Sequence, residues 1–247
     1  MIRMRRKRGH KRGYPVVLLV GFEVDRAVLW RVFSHVVRPC LTLELDGKRM
    51  DKRVLYNFHE ALVDALKPVL REGVRSVVVM TPVRTTYAAD FLDHVRRHHA
   101  YLIKSNGSGK VTFAELVGSA DKLRSVATLL KTEAFRRLVA QTTSVEADHL
   151  VNVLEKHLCD SKVVVLFSLK EIEDVVCGRG ERDDFRAEYL VLTDRYLADS
   201  EDKSRVNRLL QISENRKMKT RIIEGETSAG KRISQFGGII FFAVPAE

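Results

Sequence analysis

The sequence predicts an α/β protein built from two mixed layers of strands and helices. Three apolar strands come first, and they are followed by a helix, a strand, a helix and a further strand. A long helical stretch then leads into a second alternation of strands and helices. This order of elements is typical of a ribonuclease-H-like layer followed by an α/β/α sandwich, and not of one doubly wound sheet. We therefore predict domains at residues 14–130 and 131–247, preceded by an arm at residues 1–13.

The strands of the first half are predicted from apolar, β-branched runs that end at turn residues. They are Tyr14–Gly21, Arg26–Phe33, Cys40–Leu45, Val74–Met80 and Tyr101–Lys104. Helices are predicted at Asp51–Glu72 and at about Thr85–His98, where apolar residues recur every three or four positions. Gly73 ends the first helix, and the polar residues Ser105–Gly109 are expected to form a loop.

The second half begins with a stretch of helical character from Phe113 to about Asp160, and the domain boundary is expected near Leu130 within it. The alternation that follows has helices at Leu169–Cys177, about Asp202–Asn215 and about Ala229–Phe236. The strands between them are Val163–Phe167, Glu188–Leu192, Thr220–Glu224 and Ile239–Val244. These elements predict a compact sandwich of three layers.

Composition limits the environment of the protein. The chain has 247 residues and only three cysteines, at positions 40, 159 and 177, and these are widely spaced. An odd number of separated cysteines fits a reducing cytosol better than a disulfide framework or a zinc site. No apolar run approaches the roughly 20 residues that span a bilayer. We expect a cytoplasmic protein that does not enter a membrane.

Positive charge is concentrated at the start of the chain. The formal net charge is +11, and residues 1–12 contribute seven cations and no acid. These cations are Arg3, Arg5, Arg6, Lys7, Arg8, Lys11 and Arg12. Such an arm gains free energy by neutralising phosphates and releasing their counterions, which favours RNA or DNA as its partner. A disordered solubilising tail is the alternative.

A second basic segment follows the third predicted strand. The sequence DGKRMDKR places Lys48, Arg49, Lys52 and Arg53 at the start of the first long helix. Helix N-termini attract phosphates, and four cations would strengthen that attraction. We predict RNA contact by these four residues, with an ordinary solvated turn as the alternative.

Two kinds of phosphate chemistry are disfavoured. Residues Gly225–Lys231, GETSAGK, resemble a phosphate-binding loop, but Arg232 stands where a Ser or Thr should hold magnesium, and only 15 residues follow. A ribonuclease-H-like nuclease needs carboxylates on its central strands, and the first and fourth strands contain none. We predict no cofactor.

The histidines offer incomplete metal motifs. His59-Glu60 begins like a zinc-protease helix, but Val63 stands where the second histidine is required. Asp90, His94 and His98 are four residues apart on one helix face, but nothing nearby in the sequence completes a tetrahedral set of ligands. We therefore predict no metal site.

The C-terminal segment, IIEGETSAGKRISQFGGIIFFAV, resembles the end of the archaeal/eukaryotic class I peptide chain release factor and Pelota superfamily. The matching glycines are Gly230, Gly237 and Gly238, and the pair would leave the helix through positive φ. The segments FSLKEIEDVV, EYLVLTD and MTPVRTTYAADFLDHV are also similar to parts of that family. The resemblance extends over about residues 14–247 and implies the family's central and C-terminal domains.

Two departures from the family bear on function. The resemblance begins at about Tyr14, so we expect no counterpart of the family's N-terminal, mRNA-facing domain. The resemblance also places DGKRMD where release factors present the catalytic Gly-Gly-Gln. The only glutamines are Gln141, Gln211 and Gln235. The resemblance therefore implies a non-catalytic, ribosome-binding factor for rescue, recycling or hibernation that holds rRNA or tRNA. It also implies a C-terminal surface for a translational GTPase or a ribosome-splitting ATPase.

Two other functions stay open on the sequence. A peptidyl-tRNA hydrolase of the release-factor-like type could use a group other than a loop glutamine. A general RNA-binding assembly protein would use the same basic segments outside translation.

Overall fold

The structure is a computed structural model, and it describes residues 15–33, 36–104, 110–158, 160, 162–177, 185–216 and 218–245. These residues form one five-stranded and one four-stranded sheet. Helices cover both faces of each sheet, with a separate apolar core on each face. Within the described ranges, every helix is too short or too polar to cross a bilayer.

The first sheet has the ribonuclease-H-like order predicted from the sequence. Its strands are β1 (Pro15–Phe22), β2 (Arg26–Phe33), β3 (Val37–Glu44), β4 (Ser76–Thr81) and β5 (Thr112–Val117). They are arranged in the order β3-β2-β1-β4-β5. The first three form an antiparallel meander, β4 pairs parallel to β1, and β5 pairs parallel to β4.

Helices bury this sheet on both sides, which explains why its central strands are almost continuously apolar. One face packs against α1 (Lys52–Arg71), α2 (Tyr87–His98) and α3 (Ala100–Lys104). The opposite face packs against α4 (Leu123–Leu129) and the first part of α5 (Glu133–Leu158). Successive residues of β1 alternate between the two cores, as the pleat of a strand requires.

The predicted strand at Tyr101–Lys104 is wrong, because those residues form α3. The backbone N–H of Leu102 donates to the carbonyl of His99, so the chain keeps turning after α2. The last strand of the sheet is β5, which lies inside the stretch predicted to be helical from Phe113. Ala, Glu and Leu in β5 favour a helix locally, but pairing with β4 along its whole length decides its structure. The loop predicted at residues 105–109 lies outside the described residues.

The second sheet confirms the predicted sandwich. Its strands are β6 (Val164–Leu166), β7 (Phe185–Thr193), β8 (Lys219–Ile223) and β9 (Ile239–Pro245). Their order is β6-β9-β7-β8, with β9 antiparallel to both neighbours and β7 parallel to β8. The helices of this half are α6 (Leu169–Val176), α7 (Asp194–Asp199), α8 (Lys203–Asn215) and α9 (Ser228–Gln235).

Helix α5 connects the two halves. Phe135, near its start, belongs to the core of the first sheet, whereas Leu150 and Leu154 belong to a core of the second sheet. The boundary near Leu130 stays a prediction, and it lies just before this helix.

A buried ion pair lies where α5 passes between the sheets. Glu146 of α5 accepts a hydrogen bond from Arg221 of β8 at 2.6 Å, and their side chains are only 7% and 9% exposed. Ser76 of β4 donates to the same carboxylate, so this network includes residues from both sheets. Burial raises the pKa of Glu146 more than the Arg221 guanidinium and the Ser76 hydroxyl lower it.

Candidate nucleic-acid interface

Four strands of the first sheet end at the same edge. Strands β1, β3, β4 and β5 run in one direction, so the loops that follow them meet at the carboxyl end of the sheet. These loops comprise residues 23–25, 45–51, 82–86 and 118–122. In open α/β sheets, ligands bind preferentially at this edge. The basic DGKRMDKR segment lies there.

The loop at residues 45–51 has a defined backbone. Gly47 has φ +128°, a conformation that side chains strongly disfavour. The backbone N–H of Asp51 donates to the carbonyl of Lys48, which closes the turn before α1. The Asp51 carboxylate then accepts hydrogen bonds from the backbone N–H groups of Arg53 and Val54. An acidic side chain therefore caps α1, and any phosphate must be held by basic side chains instead of by free helix amides.

The Arg49 side chain is bound to other groups of the protein. Its guanidinium donates to the backbone carbonyls of Glu23, at 2.8 Å, and Val24, at 3.2 Å. It also stacks on the ring of Tyr87, with its Cζ atom 3.9 Å from the ring centroid. Burial lowers the pKa of Arg49, although the nearby Tyr87, Asp90 and Asp25 oppose that shift. These contacts hold the β1–β2 turn against the basic loop, and they make Arg49 the least available of the four predicted cations.

Lys48, Lys52 and Arg53 are exposed to solvent. Among the residues that the structure describes, their side chains make no hydrogen bond or ion pair with protein groups. Two acidic groups nearby are engaged within the protein, since Asp51 caps α1 and Glu23 accepts a hydrogen bond from Ser119. We call these three cations the rim cations. They can meet phosphate oxygens without breaking a contact inside the protein.

Sequence reasoning missed the apolar and strained residues around the rim cations. Met50 is 93% exposed, and Val24 and Val83 are each 69% exposed, all in loops at the same edge. Arg84 has φ +62°, the one non-glycine residue in the described ranges with positive φ. The turn TPVRTT, with Pro82 after a strand, was the available signal.

The basic arm lies outside the described residues. This holds for Arg3, Arg5, Arg6, Lys7, Arg8, Lys11 and Arg12. Their contact with RNA stays a prediction, as does that of the rim cations.

The glycines of the C-terminal motif have steric roles. Gly237 and Gly238 adopt φ +98° and +82°, and their N–H groups donate to the carbonyls of Ser234 and Ile233 at the end of α9. A Cβ at Gly230 would overlap the Glu224 carbonyl oxygen and would lie 2.7 Å from the Cα of Gly225. These glycines let α9 pack against the preceding loop and let β9 begin at once.

The segment GETSAGK does not form an open phosphate cradle. Thr227 caps α9 by accepting a hydrogen bond from the N–H of Gly230, and the Asp194 carboxylate accepts one from the N–H of Gly225. Protein oxygens thus occupy amides that a phosphate would need.

The histidine face of α2 is arranged differently from the sequence expectation. Asp90 accepts a hydrogen bond from Thr86, at 2.8 Å, and is not part of the group of ligand atoms that includes His94. His94 instead meets Glu60 of α1 and His99, neither of which belongs to the predicted set of Asp90, His94 and His98. The packing of α1 on α2 could not be read from a spacing within one helix.

A ribonuclease-H-like sheet followed by this sandwich, with the glycine motif before β9, gives a fold similar to that of the central and C-terminal domains of Pelota. No protein-family model matches the sequence, and no curated protein matches it significantly.

Among solved structures, archaeal Pelota in a model of ribosome-bound Pelota and ABCE1 is similar at a TM-score of 0.54 and 16% identity. That match covers 97% of this chain and 63% of Pelota. Dom34 of S. cerevisiae, a translation termination-like factor, matches at a TM-score of 0.48 and 18% identity, over 92% of this chain and 62% of its own. The present chain therefore spans less than two thirds of the length of either protein.

Proposed function

We propose that this chain is a non-catalytic RNA- and ribosome-binding factor of the translation machinery, acting in ribosome rescue, recycling or hibernation in the cytoplasm. The observation that carries the proposal is the similarity of fold to archaeal Pelota over 97% of the chain, in a model where Pelota is ribosome-bound. The ribosome, through rRNA or tRNA, is thus the proposed partner.

The rim cations supply the proposed contact with RNA. They are exposed, they lack partners among the described residues, and they lie at the loop edge of a rigid sheet. Each phosphate neutralised releases counterions, so the binding free energy weakens steeply as salt rises. The arm at residues 1–13 would add further cations to the same interaction. Arg49 would act indirectly, because it holds the loop in place.

The C-terminal half is proposed to bind a translational GTPase or a ribosome-splitting ATPase. The support is that the similar Pelota structure contains ABCE1 together with the ribosome.

The decisive experiment is cosedimentation with ribosomes over a series of salt concentrations. The full chain is compared with the triple variant Lys48→Glu, Lys52→Glu, Arg53→Glu. We expect the variant to bind more weakly, and the slope of log affinity against log salt to become shallower by about 1 for each lost phosphate contact.

The matched control reverses the charge of three exposed cations in the second half of the chain. It is the triple variant Lys162→Glu, Lys170→Glu, Arg208→Glu, which has the same net charge as the rim variant. Equal binding by the two triple variants would refute the rim contact. No binding of the wild type at low salt would refute the proposal as a whole. Release of labelled peptide from peptidyl-tRNA on large ribosomal subunits would instead establish a hydrolase.

A further inference from the structure

Three potential metal ligands converge between α1 and the end of α2. The Nε2 atoms of His94 and His99 each lie 2.9 Å from the same oxygen, Oε1 of Glu60. The nearest ligand atoms of these three residues all fall within 4.8 Å of one another. This group, which we call the Glu60–His94–His99 cluster, is separate from the rim cations, because Glu60 lies about two turns further along α1 than Arg53.

The cluster is enclosed yet reachable. The side chains of His94 and His99 are 6% and 11% exposed, whereas that of Glu60 is 32% exposed. The Glu60 carboxylate faces the two imidazole nitrogens and is partly open to solvent, so an ion could reach it.

Aromatic neighbours fix the ligand rings. The ring of Tyr56 lies edge-on to His94, with ring centroids 5.1 Å apart, and His59 lies on another side at 5.2 Å. Tyr101 packs against His99 at 5.8 Å. A ring held in one rotamer loses little further freedom when it binds an ion, which favours affinity.

A second observation sets this region apart. The Nε2 atom of His59 is buried without a hydrogen-bond partner among the described residues, and its ring contacts the ring of His94. His98 also packs on His94, with ring centroids 4.8 Å apart. Four of the eight histidines in the chain thus gather at one place. Such a concentration of imidazoles in a helix–helix contact is costly to build for packing alone, since apolar residues would fill the space without needing polar partners.

We propose that Glu60, His94 and His99 bind one divalent transition-metal ion, with Zn²⁺ as the best chemical match. Two imidazole nitrogens and one carboxylate oxygen are ligands that zinc prefers, and they leave a fourth position for water. Magnesium and calcium prefer sets made only of oxygen atoms. On binding, the ion takes the place of the hydrogens between the two Nε2 atoms and Glu60, and each neutral imidazole then carries its one hydrogen on Nδ1.

The geometry needs only a small adjustment. Tetrahedral zinc with bonds of about 2.0–2.1 Å holds its ligand atoms about 3.3 Å apart. To fit the ion, the two nitrogen–oxygen distances of 2.9 Å would lengthen slightly. The distance between the two histidine nitrogens, at most 4.8 Å, would shorten. The ion would link the middle of α1 to the end of α2 and so clamp one helical layer of the first sheet.

The experiment is a titration of the full chain, free of any polyhistidine tag and stripped with a chelator, with Zn²⁺ in competition with a chromophoric chelator. We expect one zinc per chain. Glu60→Gln, His94→Asn and His99→Asn should each weaken affinity by more than about tenfold, the low end of the loss caused even by mutating residues that only support ligands. At about 100 times the dissociation constant, zinc should raise the Tm of the wild type by on the order of 5–10 °C.

His98→Asn is the matched control, because His98 packs on His94 but lies outside the ligand set. It should keep the one-to-one stoichiometry and an affinity within about threefold of the wild type, whereas a true ligand would lose at least tenfold. Co²⁺ should give the strong visible absorption of a tetrahedral site in the wild type and in His98→Asn only. Far-UV circular dichroism verifies that each variant is folded, and Glu60→Gln keeps the shape of the side chain. Zinc binding that is equal in wild type and Glu60→Gln, or that is lost in His98→Asn, would overturn the assignment.

Discussion

The buried pair Glu146–Arg221 allows the sharpest test of how the two halves are held together. Removing one partner of a buried ion pair leaves an uncompensated charge and typically destabilises a protein by about 3–5 kcal/mol. The low exposure of both side chains puts this pair in that class. We therefore expect Glu146→Leu and Arg221→Met each to lower the free energy of unfolding by about 3–5 kcal/mol.

The double variant should behave differently from the sum of the two single variants. Replacing both charges with apolar side chains of similar volume removes the desolvation cost together with the attraction, and is commonly neutral or stabilising by about 1–4 kcal/mol. We expect the double variant to be more stable than either single variant, although it also removes the carboxylate that the Arg75 backbone and charge interact with. Ser76 then loses its carboxylate partner, but its hydroxyl retains the carbonyl of Thr142 at 3.5 Å.

The pH dependence distinguishes the two single variants. The pKa of Glu146 is already raised in the wild type, and Arg221→Met removes the guanidinium that opposes the shift. Because the folded-state pKa lies above the unfolded value, stability is fully present below about pH 4.5 and is lost as pH rises, by about 1.4 kcal/mol per pH unit up to the folded pKa. The penalty of Arg221→Met should thus grow with pH. The penalty of Glu146→Leu should instead shrink as pH rises, because the variant lacks the carboxyl whose deprotonation destabilises the wild type, and arginine does not deprotonate in this range.

The assay is urea unfolding followed by circular dichroism and by the fluorescence of Trp30. Trp30 is the only tryptophan, and it is buried in the first sheet with its indole N–H donating to the carbonyl of Ala120. The two signals should separate in Glu146→Leu, because the first sheet and the sandwich then unfold less cooperatively. Arg137→Met, which breaks an exposed pair with Glu133, should cost less than about 1 kcal/mol. Single variants that cost no more than this control would refute the reasoning.

Three further outcomes are expected from urea unfolding of other variants. Gly230→Ala should lower the free energy of unfolding by more than about 2 kcal/mol, because its Cβ meets rigid backbone at Glu224. Gly225→Ala faces the flexible Arg195 side chain and should lower it clearly less. Equal losses in the two variants would contradict the close approach at Gly230. Arg49→Met should destabilise by about 2 kcal/mol through lost hydrogen bonds to carbonyls, and an unchanged midpoint would show that Arg49 is not structural. Thr227→Ala should cost about 1 kcal/mol through loss of the α9 cap, while Thr227→Ser restores most of it; a failure of serine to restore stability would argue against capping.

Much of the fold could be predicted because its signals are local. Strands β1, β2 and β4 are apolar runs whose residues are buried on both faces, and the turn and cap residues around them carry their own chemistry. Strand β5 could not be predicted, because its residues favour a helix and only pairing with β4 makes them a strand. The same competition misassigned Tyr101–Lys104, a run too short for periodicity to separate strand from helix.

The candidate sites divide in the same way. The basic composition of residues 46–53 is visible in the sequence. That Arg49 is held inside the protein while the rim cations stay exposed depends on contacts of Arg49 with Glu23, Val24 and Tyr87. The Glu60–His94–His99 cluster needs two helices to pack, so no spacing within one helix could reveal it.

By itself the sequence determined the order of elements, the apolar faces, the glycine motif before the last strand and the concentration of positive charge. Each of these depends on residues that are near one another along the chain. Only the tertiary structure decided which strand closes the first sheet, which cations remain free at its carboxyl edge, and that Glu146 and Arg221 meet between the two halves. Those outcomes depend on contacts between residues tens of positions apart, and their free energies outweigh local preferences once the chain is compact.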